Sequence, residues 1–178
     1  MNLLRRIFAF FALFRASPAS HAQTAASIGP ELRQTFLNIT AAKAGVVPNP
    51  QFPHVFGVAL DWPIDEYFAT VISLSDGSAS LYTTSTFGVI GGAGHEVIRA
   101  AAKHFVSTAE KYFAEASPVS AYPYPPRGKV RFYLLTYSGV RVIEADAERI
   151  YSGSDKFSPL FGAAQDVVTQ LRLVTEKK

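Results

Sequence analysis

The chain of 178 residues contains no cysteine. Disulfides, iron–sulfur clusters, cysteine-ligated zinc and a cysteine nucleophile are thereby excluded, while the redox compartment stays open. Positive charge is also short where it would matter. The formal net charge is +3, but Arg5, Arg6 and Arg15 fall within the first 22 residues, where there is no acid. Removing those three leaves fourteen basic residues against fourteen acidic ones. A nucleic-acid binder carries a basic run or face, and none follows Arg15, so nucleic acid is not an expected partner.

Complete chemical motifs are missing as well. The glycines Gly88, Gly91, Gly92 and Gly94 precede a helical pattern. Counted from Gly92, however, the G-x-G-x-x-G frame ends on Val97, and no Gly-Lys-Ser/Thr follows to make a phosphate loop. His95-Glu96 opens like H-E-x-x-H, but the second ligand position holds Arg99. No G-x-S-x-G elbow is present. Asp61, Asp65 and Glu66 in DWPIDEY lack the alternating oxygen ligands and bend glycine of a calcium loop. No metal and no cofactor is expected; the chain leans toward a non-enzyme, with His95, Glu96 and Asp61 as the candidates for an enzyme of unrecognised type.

What is present is a core. Hydrophobic residues make up 48% and charged residues 17%, with fourteen Phe and eight Tyr, enough for one folded domain. Residues 1–29 separate from it by composition. Arg5-Arg6, the apolar run Ile7 to Phe14 and the small-x-small triplet Ser20-His21-Ala22 have the parts of a secretory signal. Eight apolar residues fall well short of the roughly 20 that span a bilayer. Export to a periplasm-like compartment is the expectation, with a cytoplasmic location as the alternative. If uncleaved, residues 3–14 would be the only membrane contact, and residues 16–29 a linker.

The domain, residues 30–178, reads as α+β. Pro30 and Glu31 start a helix whose Leu32, Phe36 and Ile39 share a face, and Gly45 stops it. Val55 to Trp62 is a strand. Tyr67 to Ser75 and Ser78 to Ser85 form a hairpin about Asp76-Gly77. A two-residue turn there pairs Leu74 with Ala79, Ile72 with Leu81 and Thr70 with Thr83. Phe68, Ile72, Leu74 and Leu81 then share one face, and Tyr67, Val71, Ser73, Ser80 and Tyr82 the other.

Gly94 to about Ala116 carries a helical stripe through Ile98, Ala102, Phe105 and Ala109. Pro-rich SPVSAYPYPPRG interrupts it. Lys129 to Tyr137 and Val140 to Asp146 make a second hairpin about Ser138-Gly139, with Arg131 opposite Asp146. Ser158-Pro159 opens the last helix. The fold expected is a five-stranded antiparallel sheet, a three-strand meander plus a hairpin, with about three helices on one face.

That element order resembles roadblock/longin or profilin-like domains. The stretches DGSASLYTTSTFGVIGGAGHEVIRAAAKHF and KVRFYLLTYSGVRV are similar to stretches of small bacterial proteins with no activity attached. The resemblance implies a fold and no chemistry. The function expected is a non-catalytic binding or scaffold module. Its protein partner or second copy would meet the face bearing Tyr67, Val71 and Tyr82. The alternative is a small-ligand or anion sensor using Gly91, Gly92, Gly94, His95 and Glu96 at a helix N-terminus.

Overall fold

The computed structural model describes residues 22–85, 88–90 and 94–176. They form one α+β domain on a single antiparallel sheet. Its strands are β1 (Val55–Ile64), β2 (Tyr67–Leu74), β3 (Ala79–Thr83), β4 (Gly88–Ile90), β5 (Ser117–Pro118), β6 (Lys129–Thr136) and β7 (Gly139–Asp146). The spatial order is β4-β3-β2-β1-β6-β7-β5, so β1 lies at the centre and joins the meander to the second hairpin. The five strands expected are the five long ones; the additions, β4 and the two-residue β5, are short edge pieces. Among the described residues the α-helices number five instead of three: α1 (Ala22–Leu37), α2 (Ala41–Ala44), α3 (Glu96–Glu110), α4 (Ala147–Ser152) and α5 (Ser158–Thr175).

The helices do not share one face. Helices α3, α4 and α5 cover a core built from Val58, Leu60, Val71, Leu81, Phe132 and Leu134. Helix α1 covers the other side, where Leu37 meets Phe56, Ala59, Ile72, Tyr82 and Tyr133. The sheet is therefore enclosed by two layers, and its middle strands bury side chains in both directions. Strand β1 shows this directly, with nine of its ten residues buried. Alternation along it is broken once, by a bulge between Val55 and Gly57. The bulge turns Phe56 out of the row of Val58, Leu60 and Trp62 and into the α1 side.

Two local departures from the sequence reading have clear causes. The loop between β2 and β3 holds three residues, not two. Leu74 N–H donates to Ser78 O, Gly77 N–H donates to Leu74 O, and Gly77 takes φ +96°, a glycine-bulge hairpin. Val71 therefore pairs with Leu81 and Thr70 with Tyr82, one residue off the expected register. A slip of one moves every β3 side chain to the opposite face. In the second hairpin the turn residues are Tyr137 and Ser138, and Arg131 lies opposite Glu144, with Lys129 opposite Asp146. That shift is two residues, so the faces are kept.

Residues 22–29, expected as linker, are helical. Ala22, Ala25 and Ala26 favour helix, and α1 continues through Pro30, which lies inside it. Pro63, expected in a turn, belongs to β1, opposite Phe68. The pairing of β1 with β6 has ended at Asp61–Arg131, so a missing N–H at Pro63 costs the ladder nothing. Helix α3 stops at Glu110 and is followed by a single 3-10 turn, Phe113–Glu115, not by helix to Ala116.

Helix α4 has no counterpart among the expected elements. Asp146 caps it by accepting from Arg149 N–H. That bond, reinforced by Lys129, holds the Asp146 carboxyl below its ordinary 3.8. A carboxyl depressed in the folded state adds stability above its unfolded pKa and loses it as the pH falls through the folded one. Asp146→Asn keeps the cap and removes the charge. Its melting temperature is expected to lie below wild type near neutrality and to converge with it well below pH 3.8.

Candidate functional site

The turn favoured by sequence for a ligand is only partly within the described residues: Gly91 and Gly92 lie outside them. Gly94 is exposed, has no positive φ, and would meet nothing within 4 Å if given a Cβ. His95 occupies the N-cap position of α3 without a side-chain capping bond, and Glu96 in the first turn pairs with Arg99. All three are exposed residues of one helix start. The expectations placed on residues 1–21, export and membrane contact, also fall outside the described residues. No helix among those described is long and apolar enough to cross a membrane.

The face expected to meet a partner does not exist as a surface. Val71 is fully buried under α3 and α5, Tyr82 is buried under α1, and Tyr67 alone is half exposed. The one-residue register slip separates them.

Two polar assemblies and one cleft stand out instead. The first assembly is an ion pair inside the domain. Arg33 on α1 donates through Nε to both oxygens of Asp61 at 3.0 Å and through Nη2 to Oδ2 at 2.5 Å. Thr70 Oγ1 donates to Asp61 Oδ1 at 2.6 Å. Arg33 is 3% exposed and Asp61 0%. The guanidinium lies 4.2 Å from the centre of the Tyr124 ring, which stacks on Phe68, and 5.5 Å from that of Tyr133. The Pro-rich segment is thereby tied down as a strap. Pro123 O accepts from Tyr133 Oη and Arg131 Nη1, and Tyr124 O from Arg131. Burial pushes the Asp61 carboxyl up, and the hydrogen bond and charge of Arg33 pull against it. Asp61 is thus separated from Asp65 and Glu66, which sit on the exposed turn. The acidic trio of the sequence is not a cluster, and among the described residues no group of three metal-ligating side chains converges.

The second assembly joins the end of α3 to the start of β1. Glu110 Oε1 lies 2.6 Å from His54 Nδ1, and Oε2 accepts from the backbone N–H of His54 and Val55 at 3.1 and 2.7 Å. The imidazole stacks on Phe113 at 4.5 Å, and Arg141 lies 4.8 Å from the same ring centre. The carboxylate fixes the ring and leaves Nε2 as the nitrogen it does not engage. No hydroxyl or thiol takes part, so the pair clamps two elements together instead of activating a nucleophile.

The cleft, of about 270 Å³, opens beside this end of the sheet. Phe56 and Leu135 come from the sheet, Leu37 from the end of α1 and Ile39 from the loop after it, and Tyr122 and Val140 from the strap and β7. Asn38, Thr40, Tyr122, Thr136 and Tyr137 supply its polar side-chain atoms. Local structure explains the hollow. Helix α1 ends at Leu37, and Thr40 starts α2 by accepting from Lys43 N–H. The chain thus turns away from the sheet just where the hairpin Tyr137-Ser138 rises beside it. Thr136 Oγ1 is spent on Gly139 O at 2.5 Å. Tyr137 Oη is buried and has no hydrogen-bond partner, and burial, with Glu110 adding to it, pushes this phenol up.

None of the cleft residues was singled out from sequence as a ligand site. The sequon-like Asn38-Ile39-Thr40 marks its rim, but that pattern reads as modification, not as a pocket. The cleft is made by four segments distant in the chain, so no local motif encodes it. Comparison with family models, with curated proteins and with solved structures finds no match to this chain.

Proposed function

We propose that the chain is a non-catalytic binding module whose ligand occupies the cleft between the end of α1 and the β6–β7 hairpin. The observation that carries this reading is the cleft itself, about 270 Å³ in a domain whose sheet is otherwise covered on both sides. Its volume stands near the lower bound of small-molecule pockets, roughly 300–1,000 Å³. Apolar side chains with a few polar groups at the rim are the usual composition of such sites. The non-catalytic part rests on the chemistry nearby: the hydroxyls and amide at the cleft have no general base among their hydrogen-bond partners, and His54 is engaged by a structural carboxylate.

A mixed fragment library observed through the methyl resonances of Leu37, Leu135 and Val140 tests the reading. Hits are expected to shift these methyls together. Val140→Trp, at a half-buried position on the cleft wall, fills the space while leaving the fold intact. It should weaken every hit by about tenfold or more, since a pocket ligand owes its affinity to burying most of its surface there. Hits that move other methyls, or that bind Val140→Trp unchanged, would remove the cleft from consideration.

A further inference from the structure

The lining of the cleft restricts what it can hold. The side chains that line it are aliphatic, aromatic, hydroxyl or amide, and none is an acid, a lysine, an arginine or a histidine. Of the charged groups nearby, Lys43 on α2 is exposed and does not line the cleft, and Glu110 and Arg141 are committed elsewhere. Glu110 is bound to His54 and two backbone amides. Arg141 donates to Ala116 O at 2.7 Å and lies over Phe113. An ionic ligand entering the cleft would lose hydration and gain no counter-charge, which is the costliest exchange a site can offer.

The polar capacity is small as well. Asn38 Nδ2 donates to Gln34 O at 2.7 Å, Thr40 Oγ1 accepts from Lys43 N–H at 3.3 Å, and Thr136 is bound to Gly139 O. What is left is the Asn38 carbonyl oxygen, the Thr40 hydroxyl proton and the hydroxyls of Tyr122 and Tyr137, of which the Tyr137 hydroxyl is buried without a partner. Three aromatic rings, those of Phe56, Tyr122 and Tyr137, line the space, and those of Phe56 and Tyr137 stand 5.4 Å apart, an inclined pair beside which a further ring can pack.

From these features we infer that the ligand is a small uncharged molecule with a planar apolar body and a neutral hydrogen-bonding head. Phosphorylated and carboxylated metabolites are excluded by the same lining, which moves the ligand class away from the anion expected at the glycine turn. This inference rests on the cleft being the binding site.

Three probes sharing one body separate the two claims: p-cresol, p-toluate and 4-methylbenzylammonium, each titrated into the full chain. Methyl shifts of Leu37, Ile39 and Val140 report on occupancy. p-Cresol is expected to bind at least about tenfold more tightly than either charged probe, in line with the cost of burying an unpaired charge, and Val140→Trp should abolish its shifts. Tyr137→Phe is the second variant. It removes a buried, unpartnered hydroxyl, so it should leave the free protein as stable as wild type or more so, while weakening p-cresol severalfold if the head uses that hydroxyl. p-Toluate or the ammonium probe binding the cleft as tightly as p-cresol overturns the uncharged class and leaves the binding module standing. Absence of cleft shifts with all three overturns the module, and the inference with it.

Discussion

Replacing Arg33 with alanine is expected to cost about 3–5 kcal/mol, the range found when one partner of a buried ion pair is removed. For a domain of this size that corresponds to a fall of roughly 6–20 °C in melting temperature, at about 2–4 °C per kcal/mol. The cost comes from what remains. Asp61 is fully buried, and without the guanidinium it keeps only the Thr70 hydroxyl. Asp61→Asn should be comparably damaging, since it leaves the cation unpaired beneath α1. Acid should relieve Arg33→Ala. Burial already pushes the Asp61 carboxyl up with Arg33 present, and a carboxyl whose folded pKa exceeds its unfolded one favours folding as the pH falls. The deficit against wild type is therefore expected to shrink on acidification. Replacing Arg33, Asp61 and Thr70 together by Met, Leu and Val should recover most of the loss, because matched apolar groups have no charge to strand. Chemical denaturation of the four proteins at two pH values checks all of this. A cost for Arg33→Ala below about 1 kcal/mol, as at exposed pairs, would mean that α1 is not seated as described.

The next largest effect is expected at Gly29. A Cβ there would lie 2.3 Å from the carbonyl oxygen of Thr83, a backbone atom that cannot swing aside. Alanine is the better helix former by about 1 kcal/mol, so propensity alone would make Gly29→Ala stabilising. Overpacking works against it at about 1–3 kcal/mol, and lifting α1 from β3 also disturbs the Arg33 contacts one turn along the helix. A net loss of up to about 2 kcal/mol is expected from those two terms, and the disturbed Arg33 contacts add to it. The test of mechanism is coupling. If both substitutions act by unseating the same helix, Gly29→Ala should cost much less in an Arg33→Ala background than in wild type. Additive losses would separate the two contacts.

The five long strands and the long helices α3 and α5 were legible because each carries its own local signal. The α3 and α5 stripes, the Asp-Gly hairpin and the β6–β7 faces all follow from periodicity and turn residues. The count of faces was not. Asp61 lies between Leu60 and Trp62 on a strand that buries both sides, and a carboxylate there already demands a cation from another layer. Gly29, Arg33 and Leu37 recur every four residues and form the buried edge of α1, but an arginine and a glycine do not register as an apolar stripe. The β2–β3 register failed because two- and three-residue loops share the same Asp-Gly signature. The cleft is legible only after folding, since Leu37, Phe56, Tyr122 and Val140 are brought together by tertiary structure alone.

The strapped ion pair also bears on the order in which the chain matures. Arg33 is translated first, whereas Tyr133, which closes over it, follows roughly 100 residues later. At about 5–20 residues per second, the leading helix waits some 5–20 s on the ribosome for its seat to be built. Until then the Arg33–Asp61 pair lacks its aromatic cover, so α1 is fully seated only after the strap and β6 have been made.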